Sequence, residues 1–325
     1  MYKKVSSLPI KSSASLLYNN FDVVKASENN DHLFAVVHKS IVWVFDPSQS
    51  KDEKGFTNTL CRKVICKGES MHDSAIILQA KWCVLATRTL LVIASVKGVQ
   101  MFEADGSIML FWQALGTHRI YGHAQYARGV TAVGEKHICI GVADGSILVF
   151  DIPNKGTTVK LHETLLEHRT SITDLHSHSS SGNMISGDEE GNIIVWKAGG
   201  HFTKLIEIMG FGFPCSSIRL WKTMVIGGYG SGHIRIFNAV TGKIIAEITA
   251  HAKWINAIDV AEDSGLLLSS SEDSFIRVWD LNKMVQIDQI LVENSQITGA
   301  RFIDNSGDTF GLTAFDSNQV LIYSV

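Results

Sequence analysis

No stretch of this sequence is long and apolar enough to cross a bilayer. The greasiest, Ile76 to Val96, is broken by Lys81 and Arg88, so no uncharged run reaches the ~20 residues that a spanning helix needs. The amino terminus, Met1-Tyr2-Lys3-Lys4-Val5-Ser6-Ser7, carries two cations with no apolar segment behind them, which argues against a signal peptide. Cysteine is sparse: Cys61, Cys66, Cys83, Cys139 and Cys215 are scattered and form no CxxC pair. A disulfide framework is therefore not expected, and reduced, mostly buried thiols in a cytoplasmic protein are. Nor is there an excess of positive charge, with 29 Lys+Arg against 32 Asp+Glu and a net charge of −3. Non-specific nucleic-acid binding draws on many phosphate-neutralising cations, so it is not expected as the main task. What is present is an ordinary globular composition, 45% apolar over 325 residues. That excludes a largely disordered chain and admits either two domains or one large all-β or α/β-barrel domain.

One unit recurs along the chain: a short apolar run, a tight turn rich in Gly, Asp or Ser, then an alternating run that ends in an aromatic. It reads Ile138-Cys139-Ile140-Gly141-Val142-Ala143-Asp144-Gly145-Ser146-Ile147-Leu148-Val149-Phe150-Asp151, and it returns at Met184 to Trp196 and at Leu268 to Asp280. Period-two alternation around such a turn predicts a hairpin. Aligning the closing aromatic gives seven copies, Phe45, Phe102, Phe150, Trp196, Phe237, Trp279 and Tyr323, at spacings of about 57, 48, 46, 41, 42 and 44. The last five match a four-stranded propeller blade; the first is lengthened by a polar insert, Pro47 to Asn58, read as a surface loop. Two further β-like runs separate successive hairpins, for example Lys243 to Thr249 and Trp254 to Val260. The expectation is an all-β, seven-bladed β-propeller occupying residues 1–325 as one domain. The last repeat stops after its third strand, so the run around Val5 to Ile10 is expected to supply the fourth and close the ring; an open edge there would invite aggregation.

The repeats resemble the WD40 family. His168 and His251 stand four residues before Ile172 and Ile255, which open the innermost strands, and Trp196 and Trp279 close the third strands. In that family the His, a turn acid, a strand hydroxyl and the Trp form a buried hydrogen-bonded set. The resemblance implies His251, Asp273, Ser269 and Trp279 in the sixth blade, and His168, Glu190, Ser186 and Trp196 in the fourth. A buried indole N–H and imidazole need such partners. The pattern is uneven, since Lys39, Val96, Ser231 and Ser317 stand where the turn acid belongs, and only Trp279-Asp280 is a true Trp-Asp pair. The resemblance further implies a propeller used for protein association, with no catalytic residue to carry over.

Motifs that suggest chemistry fail on spacing. His162-Glu163 followed by His168 looks like a zincin, but its two histidines are six apart, in and beyond a predicted strand, instead of four apart on a helix. His176-Ser177-His178, whose two imidazoles on one side of a strand end could chelate adventitious metal, is read as a solvated loop. Gly227-Gly228-Tyr229-Gly230-Ser231-Gly232 is followed by the alternating strand His233 to Phe237, so its glycines serve a hairpin turn and no helix terminus cradles a phosphate. No catalytic residue, metal or cofactor is expected.

The remaining signal lies in loops at the rim where innermost strands begin. Trp254 with Lys253, and Arg169 after His168, fall there. Tyr229 and Phe315 fall in second-to-third-strand turns facing the same rim, and Tyr126 and Arg128 precede the third repeat. Aromatics and Arg in one exposed patch have the composition of a binding hot spot. Trp254→Ala with Arg169→Glu is expected to abolish partner capture without moving the melting temperature. Phe211, Phe213 and Pro214 form a second cluster, expected to pack between blades, with a peptide groove as the alternative. The function expected is a non-catalytic scaffold that presents one rim to a protein or peptide partner. Alternatives are a substrate adaptor of a cullin-type ubiquitin ligase and an enzyme with carboxylates or a metal converging in the central channel. The first is disfavoured because Trp279-Asp280 is followed by Leu281-Asn282 without the expected Arg.

Overall fold

A computed structural model describes residues 1–26, 32–47, 61–68, 73–116, 125–178 and 182–325. The polar insert, apart from Pro47, lies outside the described residues. The described strands sort into seven four-stranded antiparallel sheets. Blade one is β2 (Phe21–Lys25), β3 (His32–His38), β4 (Ile41–Phe45) and β5 (Cys61–Ile65). Blade two is β6 (Ile77–Val84), β7 (Thr89–Ser95), β8 (Gly98–Glu103) and β9 (Met109–Ala114). Blade three is β10 (Ala127–Val133), β11 (His137–Val142), β12 (Ile147–Asp151) and β13 (Lys160–Leu165). Blade four is β14 (Ile172–Ser177), β15 (Asn183–Asp188), β16 (Ile193–Lys197) and β17 (Thr203–Ile208). Blade five is β18 (Cys215–Trp221), β19 (Met224–Tyr229), β20 (His233–Asn238) and β21 (Ile244–Thr249). Blade six is β22 (Ile255–Ala261), β23 (Leu266–Ser271), β24 (Phe275–Asp280) and β25 (Val285–Leu291). Blade seven is β26 (Ile297–Phe302), β27 (Thr309–Ala314), β28 (Gln319–Ser324) and, on its outside, β1 (Lys3–Pro9). All seven closing aromatics sit in third strands, as the repeat predicts.

Burial follows position in the ring. The innermost strand β18 is buried at every residue, because neighbouring blades cover both its faces; the outermost β21 is exposed or half-exposed throughout. Each innermost strand contacts the next, β2 to β6, β6 to β10 and onward to β26, which returns to β2. Closure is made by β1, whose Lys3 pairs with Ser324 and Leu8 with Val320. Tyr2 anchors it: its hydroxyl donates to the Gly307 carbonyl, and its ring packs at 5.0 Å on Phe310. This is the strand predicted from the run around Val5 to Ile10.

Two bulges recur, and they matter for the sites below. One lies near the start of the innermost strand, where in blades four to six an extra residue turns a polar side chain toward the next blade. Thr173 donates to the Cys215 carbonyl, Ser216 to that of Ile255, and Asn256 to that of Ile297 at 2.7 Å. The other lies in the outermost strand, opposite the closing aromatic, in blades two to seven.

Candidate functional site

Two buried polar sets fix the upper rim, the rim where innermost strands begin. In blade six, His251 Nε2 meets Ser269 Oγ at 2.9 Å, Trp279 Nε1 donates to the same hydroxyl at 3.0 Å, and His251 Nδ1 lies 3.0 Å from Asp273. This is the set the resemblance implies. Burial alone would raise the Asp273 carboxyl, but the bond and charge of His251 and the amides of Ala252 and Phe275 outweigh it and hold it far below the ordinary value. In blade four, His168 Nε2 meets Ser186 Oγ at 2.6 Å, and Trp196 donates to that hydroxyl at 2.8 Å. The acid there is Asp188, 2.9 Å from His168 Nδ1. Glu190 is exposed, which corrects its assignment. Asp188 stands two residues earlier than the position of Asp273, on the same strand face. Its carboxylate serves the imidazole and also caps the turn, accepting the amides of Glu190 and Asn192.

Carboxylates do converge in the central channel. Asp174, Asp259 and Asp22 alternate with Arg219 and Arg301. Arg219 lies 3.0 Å from Asp259 and 3.5 Å from Asp174, and Arg301 lies 3.2 Å from Asp22 and 3.5 Å from Asp259. Each acid also accepts an amide of the next blade's innermost strand: Asp22 from Trp82, Asp174 from Ile218 and Asp259 from Phe302. Their oxygens are thus engaged in joining blades. Burial pushes Asp22 up to about 6, opposed by Lys81 and the Trp82 amide, and it raises Asp259 as well. A cavity of about 400 Å³ opens at the lower mouth beside Asp22, Lys81, His176 and Glu262. His176 is not in a solvated loop but in β14. It is half-buried, accepts the Leu220 amide at 3.1 Å, and desolvation holds its imidazole well below the ordinary value.

The upper mouth is crossed by the connection from β1 to β2. Asn19, in the left-handed conformation (φ 55°) that Asn tolerates, donates its amide to the Asn256 carbonyl at 3.1 Å and its side chain to that of Ser216 at 3.3 Å. Tyr18 beside it packs against two side chains. The Arg128 guanidinium lies 3.3 Å from its ring centroid, and the Trp254 ring is 6.1 Å away. Burial pushes the Tyr18 phenol up to about 12, with Arg128 opposing. Neither Tyr18 nor Asn19 stands out in the sequence, since what they touch comes from blades three, four, five and six.

The predicted rim residues divide accordingly. Arg169 and Lys253 are exposed, and Phe315 is 46% exposed. Tyr126 is half-buried and donates to Glu189 at 3.2 Å; Arg128 is half-buried against Tyr18. Trp254 is partly buried, its ring lying over Gly230 so closely that a Cβ there would come within 2.6 Å of it. Trp254→Ala therefore disturbs packing as well as surface, contrary to the expectation that it leaves melting unmoved. Tyr229 is a correction: it is fully buried between blades four and five, with Arg235 4.6 Å above its ring. Phe211 and Phe213 are a second correction, 50% and 48% exposed, because the connection between β17 and β18 runs over the rim and not between blades.

Seven four-stranded blades around one channel, two of them carrying the His–acid–Ser–Trp set, define a WD40-repeat propeller. A chain in the crystal structure of a mitotic checkpoint complex shares the fold, with a TM-score of 0.76 at 14% identity over 99% of this chain and 95% of that one. The chain belongs to the WDR54 family, whose model matches residues 1–325. It is 37% identical to WD repeat-containing protein 54 of Mus musculus, over 99% of this chain and 98% of that protein. Identity to the Homo sapiens protein of the same name is 35%, over 100% and 99%. WD40 propellers are typically non-catalytic scaffolds that bind proteins. Among the described residues, no helix is long and apolar enough to cross a membrane.

Proposed function

We propose that the upper rim is the contact face of this scaffold, and that it takes a protein or peptide partner at the mouth that Tyr18 occupies. One observation carries the reading: Arg128, Tyr18 and Trp254, from three distant parts of the chain, meet as a pre-ordered cationic–aromatic cluster. Exposed Arg169, Lys253 and Phe315 lie on the same rim. Large aromatic and Arg side chains held in place lose little entropy on binding, which is where hot-spot affinity comes from. The Trp254 indole N–H is buried and without an acceptor among the described residues. A cytoplasmic setting belongs to the same proposal, supported by five free thiols.

The test uses two residues exposed on this rim. Arg169→Glu with Phe315→Ala should reduce partner capture by at least about tenfold, the scale of losing one hot-spot contact, with melting unchanged. Undiminished capture by that variant would refute the assignment of the face.

A further inference from the structure

The outermost-strand bulge recurs in six blades, and in five of them the extra residue is apolar: Leu110, Leu205, Ile245, Ile287 and Val5. In blade three it is His162, inserted between Leu161, which pairs with Phe150, and Glu163, which pairs with Val149. A regular strand would send His162 and Glu163 to opposite faces. The bulge breaks the alternation, and both side chains reach one neighbour, the β16–β17 turn of blade four that carries His201. Glu163 Oε1 accepts the Phe202 amide at 2.8 Å, and its Oε2 lies 3.6 Å from His201 Nδ1. His162 Nε2 lies 3.8 Å from Glu163 Oε1 and 3.0 Å from the Gly200 carbonyl.

The imidazole of His162 has acceptors at both ends. Its Nδ1 faces Asp151 Oδ2 at 3.0 Å, while its Nε2 faces the Gly200 carbonyl and Glu163. A neutral ring donates from one nitrogen only, so with Nδ1 held by Asp151 the Nε2 lone pair is turned toward the Gly200 carbonyl and Glu163. An Nδ1–H held by a carboxylate is the arrangement that orients a histidine toward a metal through Nε2. One ligand atom from each of His162, Glu163 and His201 lies within 4.8 Å of the others. Metal–ligand bonds of about 2.0–2.2 Å set ligand atoms roughly 3.3 Å apart across a tetrahedron, a closure that the largely exposed His201 side chain makes by rotation.

We propose that His162, Glu163 and His201 form a site for one divalent ion of the zinc class, clipping the outer strand of blade three to blade four at the lower rim. Two imidazoles and a carboxylate suit zinc, and they leave a position for water or the Gly200 carbonyl. His168, the partner a linear motif suggests, takes no part, being committed to Asp188 and Ser186.

The probe is Zn²⁺ alone, titrated into the chelator-treated full chain, with Co²⁺ as a spectroscopic substitute. The wild-type chain should take up one ion at about 10 μM or below, melt at a higher temperature when loaded, and give a Co²⁺ spectrum without a thiolate band. His201→Ala removes an exposed ligand, and His162→Leu installs the residue type that other blades use in this slot. Both should fold as the wild type and bind at least about tenfold more weakly. No uptake by the wild type, a thiolate band, or unchanged binding in either variant overturns the proposal.

Discussion

Which acid completes a buried set is decided by a single side chain's reach. Blade six uses Asp273 in the turn, whereas blade four uses Asp188 at the strand end. Alignment with the family pattern picks Glu190 because it occupies the place of Asp273; it cannot show that an acid two residues earlier on the same face arrives first. The set has a pH signature. Burial, partly opposed by Asp273, holds His251 below its ordinary 6.5, so the unfolded chain gains that proton first and stability falls as pH drops below about 6.5. Asp273, held low, contributes stability that is present above its ordinary 3.8 and lost as pH falls toward its folded value. Asp22, pushed up to about 6, works in reverse, its contribution lost as pH rises through that value; it is common to wild type and variant and drops out of their difference. Asp273→Asn should therefore be less stable than wild type in urea denaturation at neutral pH, and because Asp273 also supports the charged form of His251 the gap should widen as pH falls below about 6.5 and close only in strong acid, as Asp273 takes up its own proton. A gap independent of pH would show that Asp273 adds no charge-dependent stability.

Among the elements, β1 is the one on which the ring depends. It was legible because seven closing aromatics left the last repeat one strand short. The outer-strand bulges were not legible: an inserted Leu or Ile among apolar neighbours leaves no mark on an alternating pattern, so the shared face of His162 and Glu163 was hidden. Deleting residues 1–10 removes β1 with buried Tyr2, Leu8 and Ile10. Those side chains contribute about 1.5–3 kcal/mol each, and each kcal/mol moves the midpoint of a chain this size by about 2–4 °C. Scanning calorimetry should show melting lowered by about 10 °C or more, and the bared edge of β28 should promote aggregation. An unchanged melting curve would refute the closure.

For the whole molecule, the repeat made seven blades legible, while the crossing of the channel mouth was not. Asn19 bonds to Ser216 and Asn256, and Tyr18 to Arg128 and Trp254, at separations in sequence that no local pattern encodes. The rim prediction named Trp254 and Arg128 but missed what holds them, with Arg128 inside β10 and not ahead of it, and it put Tyr229 outside when it lies between blades. Rigidity is what the closed ring contributes to function: loops from several blades are fixed relative to one another before any partner arrives. The central claim is that the upper rim does the binding, and affinity capture with mass spectrometry tests it most directly. Three chains are compared: wild type, the upper-rim variant Arg169→Glu with Phe315→Ala, and a lower-rim control, Glu135→Lys, at an exposed turn between β10 and β11. The proteins recovered with wild type should persist with the control and disappear with the upper-rim variant, all three melting alike; loss with the control and retention with the upper-rim variant would contradict it.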